Sequence, residues 1–187
     1  MNGSLRQPAT ESRPRQFEVG DRVVHPHHGA GKVVAHRRRR FLGTARDYLE
    51  IEMAQASLRI LVPCDAAAAL GLRAIAGRPA VRRIVEVLES EPELIEESWS
   101  ARQRRNLARL KGGDVLELSA VIRDLVLRAA DGKQLASERQ LLERSRAVLA
   151  SELRYALGVG VEQADAYIDE HITARNAAVD PLVASPG

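Results

Sequence analysis

A chain of 187 residues can bury one large core or two modest ones, and with aromatics at only 3% those cores must rest on valine, isoleucine, leucine and alanine. A net charge of +3, from 28 basic against 25 acidic residues, excludes a uniformly basic nucleic-acid coat and points to local basic patches. The single cysteine, Cys64, excludes an intrachain disulfide and a cysteine-built zinc site. No apolar run reaches the length of a membrane span, and the first residues lack a secretory pattern, so a cytoplasmic location is expected.

Residues 1–16 are rich in Ser, Arg, Pro and Thr without periodicity, and read as a disordered leader. From Phe17 the pattern is that of strands: Arg22–His25, Lys32–Ala35, Asp47–Glu52 and Ser57–Val62, with Pro63 ending the last. Gly20-Asp21, His28-Gly29-Ala30-Gly31 and Leu42-Gly43-Thr44 supply the turns between them, which suggests a small, strongly curved sheet or barrel. After Gly77-Arg78-Pro79 the hydrophobic period changes from two to about 3.6. Val81, Ile84, Val85 and Leu88 mark a first helix. A second is expected from Ser98, as N-cap, to Lys111, and Gly112-Gly113 stops it. Asp114 with Glu117 resembles a capping box for a third. Ser137 and Gln140 are expected to cap a fourth, broken at Gly158-Val159-Gly160, and a last helix to run from Val161 to about Thr173. The fold class is therefore α+β, a small N-terminal β-barrel followed by a compact all-α part. The divisions are a leader over 1–16, the barrel over 17–76, helices over 77–175 and a mobile tail over 176–187.

The segment from Ser98 to Lys111 places the chain's only tryptophan, Trp99, beside Arg102, Arg104, Arg105, Arg109 and Lys111. On the first turn of a helix an indole can project past the helix end as a wedge, beside free amides and arginines that favour phosphate. The plainer reading is a core tryptophan at helical spacing from Gln103, Leu107 and Leu110. His25-Pro26-His27-His28 invites a metal reading, but no Cys or acidic cluster accompanies it, and no metal or cofactor is expected. Arg37 to Arg40 lie on a strand or its turn, so alternate arginines should face opposite sides, as a solvated edge or as a patch for an acidic surface. Cys64 reads as a small buried filler. Glu89, Glu91, Glu93, Glu96 and Glu97 read as a solvated connector, and no set of residues suggests a reaction.

Taken together, Phe17-Glu-Val-Gly-Asp-Arg-Val-Val-His-Pro-His-His-Gly29, Leu58-Arg-Ile-Leu-Val-Pro63, Leu70-Gly-Leu-Arg73, Trp99 with Asn106-Leu107, and Gly113-Asp-Val115 resemble the CarD/CdnL family of bacterial RNA polymerase-binding regulators. The resemblance implies a Tudor-like barrel that docks on the polymerase β subunit, and helices that hold promoter DNA at the upstream edge of the transcription bubble. Trp99 would be the wedge that slows bubble collapse. It implies DNA contacts by Trp99, Arg102, Arg104 and Arg105, and polymerase contacts by Arg39, Phe41, Leu61 and Pro63. Ala101 stands where relatives have arginine, Gln103 and His25 where they have tyrosine, and Ala56 where many have a turn glycine. The expected function is a non-enzymatic regulator that stabilises the open promoter complex. The alternatives are a polymerase-docking adaptor that no longer engages DNA, and an autonomous repressor. Oligomeric state stays open, a monomer being the simplest case.

Overall fold

The computed structural model describes residues 17–41, 44–54, 58–92 and 98–179, without the side chains of residues 41 and 174–179. The expected leader, the Leu42-Gly43 turn, Ser57, the connector residues Glu93, Glu96 and Glu97, and the chain beyond 179 lie outside the described residues. Strands β1 (Arg22–His25), β2 (Gly29–Phe41), β3 (Thr44–Met53), β4 (Arg59–Pro63) and β5 (Arg73–Ala74) come first. They form one antiparallel sheet in the order β4-β3-β2-β1-β5. Val62 of β4 and Leu72 beside β5 meet Val23, Val33, Leu49, Ile51 and Met53 in one core, so the sheet curls until its two edges face each other.

β2 is much longer than the expected Lys32–Ala35. It continues through the arginine run because that run has acidic partners across the ladder. Arg37 meets Glu50 at 2.6 Å and Arg38 meets Asp47 at 3.9 Å, and opposite charges on adjacent strands outweigh the weak strand preference of arginine. A register step between Val33 and Ala35 bends the strand at this point.

Helices α1 (Arg78–Glu89), α2 (Trp99–Lys111), α3 (Val115–Ala130), α4 (Ala136–Leu157) and α5 (Val161–Val179) follow. Pro79 sits in the first turn of α1, where its missing N–H is not needed. Ser98 caps α2 by accepting from the Ala101 amide, and Asp114 caps α3 by accepting from Leu116. Three expectations change. Glu117 does not close a capping box; it pairs with Arg109 of α2. α4 begins with Leu135 as its N-cap residue and not with Ser137, because the Glu138 carboxylate reaches back to the Leu135 amide at 3.0 Å. α5 runs to Val179, past the expected end near Thr173. Among the described residues no helix is long and apolar enough to cross a membrane.

Neighbouring Val23 and Val24 are both buried, on opposite faces of β1. Val23 joins the sheet core, whereas Val24, Ala30 and Ala76 join the helical core with Ile84, Ile122, Leu149, Leu153 and Ile168. One end of the sheet is thus covered by helix on its outer face. Polar groups seal the seam. The Ala30 amide donates to Ser151 Oγ at 2.8 Å, and Ser151 donates in turn to the Val148 carbonyl. A Cβ on Gly29 would lie 2.5 Å from Ser151 Oγ, so only glycine lets β2 start so close to α4.

Across the same seam, Arg73 of β5 grips Glu152 of α4 through Nη1 and Nη2 at 2.5 and 2.7 Å, and the Ala76 amide donates to the same carboxylate at 2.7 Å. Gly113, just past α2, has φ +70° and its Cβ position lies 2.8 Å from the Gly71 carbonyl oxygen. Gly113→Ala is therefore expected to cost about 2 kcal/mol or more, from the left-handed backbone and a clash with backbone that cannot turn aside. Urea unfolding measures it, and a loss under about 0.5 kcal/mol, the usual scatter of neutral surface changes, would refute the close approach.

Candidate functional site

Trp99 occupies the first helical position of α2, with Ser98 as its cap and no acidic residue in the first turn. It is 49% exposed, and Leu107, two turns on, is 50% exposed. The core reading of the tryptophan is thereby overturned. The indole and Leu107 face solvent, and Asn106 is the one residue of α2 that is fully buried.

So polar an interface needs another means of attachment, and arginines supply it. Arg102 Nε donates to Glu138 at 2.7 Å, with only 13% of the Arg102 side chain and 2% of Glu138 exposed. Arg109 pairs with Glu117 and reaches Asp124 at 3.4 Å. Arg105 is half-buried and held in interactions of its own. Of the arginines expected to meet DNA, Arg104 stands exposed on α2, while Arg102 is a strut between α2 and α4. Ala101 and Gln103 are partly buried as well.

Two exposed cations outside the expected set of DNA contacts meet beside α2, one on that helix and one on α4. Lys111 and Arg144 border a cleft of about 670 Å³, with His27, Leu107, Leu110 and Leu141 also lining it. Arg144 is forty residues from Arg104 and on another helix, so no local pattern could have joined them.

At the other arm, strand register brings the barrel candidates to one face. Arg39 opposes Arg46, Arg37 opposes Tyr48, which opposes Pro63, and Ala35 opposes Glu50, which opposes Leu61. Alternation then places Arg39, Leu61 and Pro63 on the same outer side, with Arg39 and Pro63 about 12 Å apart. Phe41 closes β2 opposite Thr44, two residues beyond Arg39; its side chain is outside the described residues. Leu61 is 40% exposed. Glu50 is held by Arg37 and Arg59, and Asp65 by Arg46, whereas Arg39 has no ion-pair partner among the described residues.

A family model described as CarD-like/TRCF RID domain matches residues 17–76, and one described as CarD, C-terminal domain matches residues 83–169. The chain belongs to the CarD/CdnL family. It is 26% identical over 147 residues to the Bacillus subtilis (strain 168) protein described as "Putative transcription factor YdeB", covering 79% of this chain and 96% of that protein. CarD/CdnL proteins are transcription regulators that bind RNA polymerase and are not a known enzyme class. The α+β fold, a curled five-stranded sheet followed by helices, agrees with that membership.

The histidines at the end of β1 and in the turn after it lie against one another. His25 and His28 rings lie 4.8 Å apart, and the His27 amide donates to His25 Nδ1 at 3.2 Å. Burial, with the positive charge that His28 and His27 would carry, lowers the His25 pKa to about 4, so the ring stays neutral. Among the described residues no group of three or more His, Cys, Asp or Glu side chains could hold a metal ion. Cys64 is only partly buried, not the buried filler expected, and burial followed by the charges of Asp47 and Asp65 pushes its thiol up, away from reactivity.

Burial alone would raise the Glu138 carboxyl, but the Leu135 amide, Arg102 and Arg128 together hold it below the usual carboxylate range. Both groups predict acid sensitivity. Between pH 6.5 and about 4 the unfolded chain binds a proton at His25 that the folded chain does not, so stability falls as pH drops across that window. The Glu138 contribution, fully present above the ordinary carboxylate pKa, is lost at lower pH still, as its depressed value is passed. Urea midpoints from pH 8 to 3 should fall in that order. His25→Asn should flatten the upper step; an unchanged profile would contradict the partly buried, neutral ring.

Proposed function

We propose that this chain docks on the β subunit of RNA polymerase through the outer face of β2, β3 and β4, and stabilises the open promoter complex through α2. The unit over 17–76 would be the docking part and that over 77–175 the DNA-contacting part. Arg39, Phe41, Leu61 and Pro63 form the docking patch, in which Arg39, without an ion-pair partner among the described residues, is available for an acidic surface and Leu61 for an apolar one. Trp99 is the wedge at the upstream bubble edge. Arg104, Lys111 and Arg144 supply backbone contacts in place of Arg102 and Arg105. No base-reading geometry is needed for this role, because an apolar wedge prefers an unstacked junction and phosphate contacts carry no sequence. Placement at promoters comes from polymerase, which raises the local concentration of a weak DNA binder.

The observation that carries the reading is the half-exposed indole at the first position of a capped helix, with solvent-facing cations along the same helix and across its cleft. A second reading, a polymerase-bound adaptor that does not touch DNA, draws support from the inward turn of Arg102. Open-complex lifetime under competitor challenge separates the two: the wedge reading requires it to lengthen with wild type and not with Trp99→Ala, and the adaptor reading requires no change from either. Arg39→Glu should instead weaken pull-down of polymerase, with the helical part untouched; undiminished pull-down would remove Arg39 from the patch.

A further inference from the structure

Two stretches that were separate in the sequence, Leu70-Gly-Leu-Arg73 and Gly113-Asp-Val115, meet in the fold. Arg73 Nε donates to the Gly113 carbonyl at 2.5 Å while its two terminal nitrogens hold Glu152. Gly113 lies directly after the C-terminal end of α2, and Glu152 lies in α4. One guanidinium on the barrel therefore fastens both the tryptophan helix and the longest helix of the bundle.

We infer that Arg73 is a positioning residue that fixes the direction of α2, and so of Trp99, relative to the polymerase-docking face. The inference rests on the proposed function for its effect on transcription. Its structural ground is the way α2 is held. The helix fully buries only Asn106, packs Leu110 partly on the helical core near its C-terminal end, and is otherwise held by polar contacts of Arg102, Arg105 and Arg109, so apolar packing does little to set the direction of its N-terminal half. Its C-terminal end is different. There the Gly113 and Gly71 backbones touch, Arg73 joins them, and a Cβ on Gly71 would lie 3.5 Å from the Lys111 carbonyl oxygen. Twelve residues separate Lys111 from Trp99, about 18 Å of helix, so a swing of about 10° at this end moves the indole by about 3 Å, close to one base step of duplex DNA. A wedge that must enter one junction while the barrel is held on polymerase cannot tolerate that error.

Arginine is suited to this task and lysine is not. The planar fork directs three donors to fixed points at once, whereas an ammonium offers a single rotating centre that can satisfy Glu152 without holding Gly113 in place. Arg73→Lys should therefore fold, keep the buried charge paired and loosen α2.

The test uses the full chain with spin labels at Lys32→Cys on β2 and Ala108→Cys on α2, both exposed positions, in a Cys64→Ser background. Distance distributions from double electron–electron resonance are read alongside polymerase affinity and open-complex lifetime. With Arg73→Lys we expect unchanged polymerase affinity, a broadened distribution, and loss of the lifetime gain down to the Trp99→Ala level. A purely structural role would lower stability without separating affinity from lifetime. Glu152→Gln, which keeps the volume and an acceptor for Ala76, should broaden the distribution less and retain part of the gain. A narrow distribution with Arg73→Lys overturns the inference, as does a broad one with full lifetime. If Trp99→Ala itself leaves lifetime unchanged, the wedge reading has failed, and the distance distribution alone decides whether Arg73 orients α2.

Discussion

Replacing Glu152 by alanine should destabilise the protein by about 3–5 kcal/mol, the usual cost of removing one partner of a buried ion pair. The carboxylate is fully buried, and it accepts from both terminal nitrogens of Arg73 and from the Ala76 amide. Without it, a guanidinium that is 25% exposed and an amide inside the seam both lose their partner. For a protein of this size each kcal/mol shifts Tm by about 2–4 °C, so a drop of about 6–20 °C is expected by calorimetry. Asp65→Ala is the control. Its partner Arg46 is 46% exposed and Asp65 itself 64%, so solvent screens that pair and its loss should leave the unfolding midpoint nearly unchanged. A cost below about 1 kcal/mol at Glu152 would show that water replaces its partners and that the barrel and helices are not locked through this group.

Much of the fold was legible because it rests on local signals. β-branched runs punctuated by glycine gave the strands, Ser98 and Asp114 gave two helix starts, and threefold and fourfold spacing of Val115, Leu118, Ile122 and Leu125 gave the third helix. Long-range partners were not legible. The strand through Arg37 to Arg40 depends on Asp47 and Glu50 across the ladder, and the start of α4 depends on a carboxylate that also receives Arg102. The candidate site divides in the same way. Trp99 was locatable from its cap, since capping is a three-residue affair. The arginines behind it were not separable by sequence, because Arg102 and Arg104 are chemically identical and differ only in which side of the helix meets α4. For the same reason the contact of Leu70-Gly-Leu-Arg73 with Gly113, forty residues on, was not legible.

Consecutive valines at 23 and 24 illustrate what alternation means at a junction. A strand covered on one face would place a polar residue at one of the two positions; here each valine belongs to a different core. β1 is therefore the wall shared by barrel and helices. Its neighbour β2 carries Gly29 at the helical seam and Arg39 ten residues farther out, about 33 Å along the strand. The proposed docking patch on β2 and the tryptophan helix are thus tied together through this shared wall.

Trp99→Ala should shorten the lifetime of the open complex by about tenfold relative to wild type, with polymerase affinity unchanged. Stacking of a base on an aromatic side chain is worth about 1–3 kcal/mol by alanine substitution, and 1.4 kcal/mol corresponds to a factor of ten. The effect should appear in collapse and not in opening if the indole engages only after the strands part. Stability should hardly change, because a side chain that is 49% exposed with its cap intact contributes little to the core. Trp99→Phe should retain part of the gain, keeping a smaller wedge. Arg104→Ala should act differently, weakening the effect more at low salt than at high, since phosphate contact is a counterion-release term and stacking is not. The sign in transcription then depends on the promoter: where collapse limits initiation the alanine variant lowers output, and where escape limits it the same variant raises it. Equal lifetimes for wild type and Trp99→Ala, on complexes with polymerase binding verified, would sink the wedge and leave the adaptor.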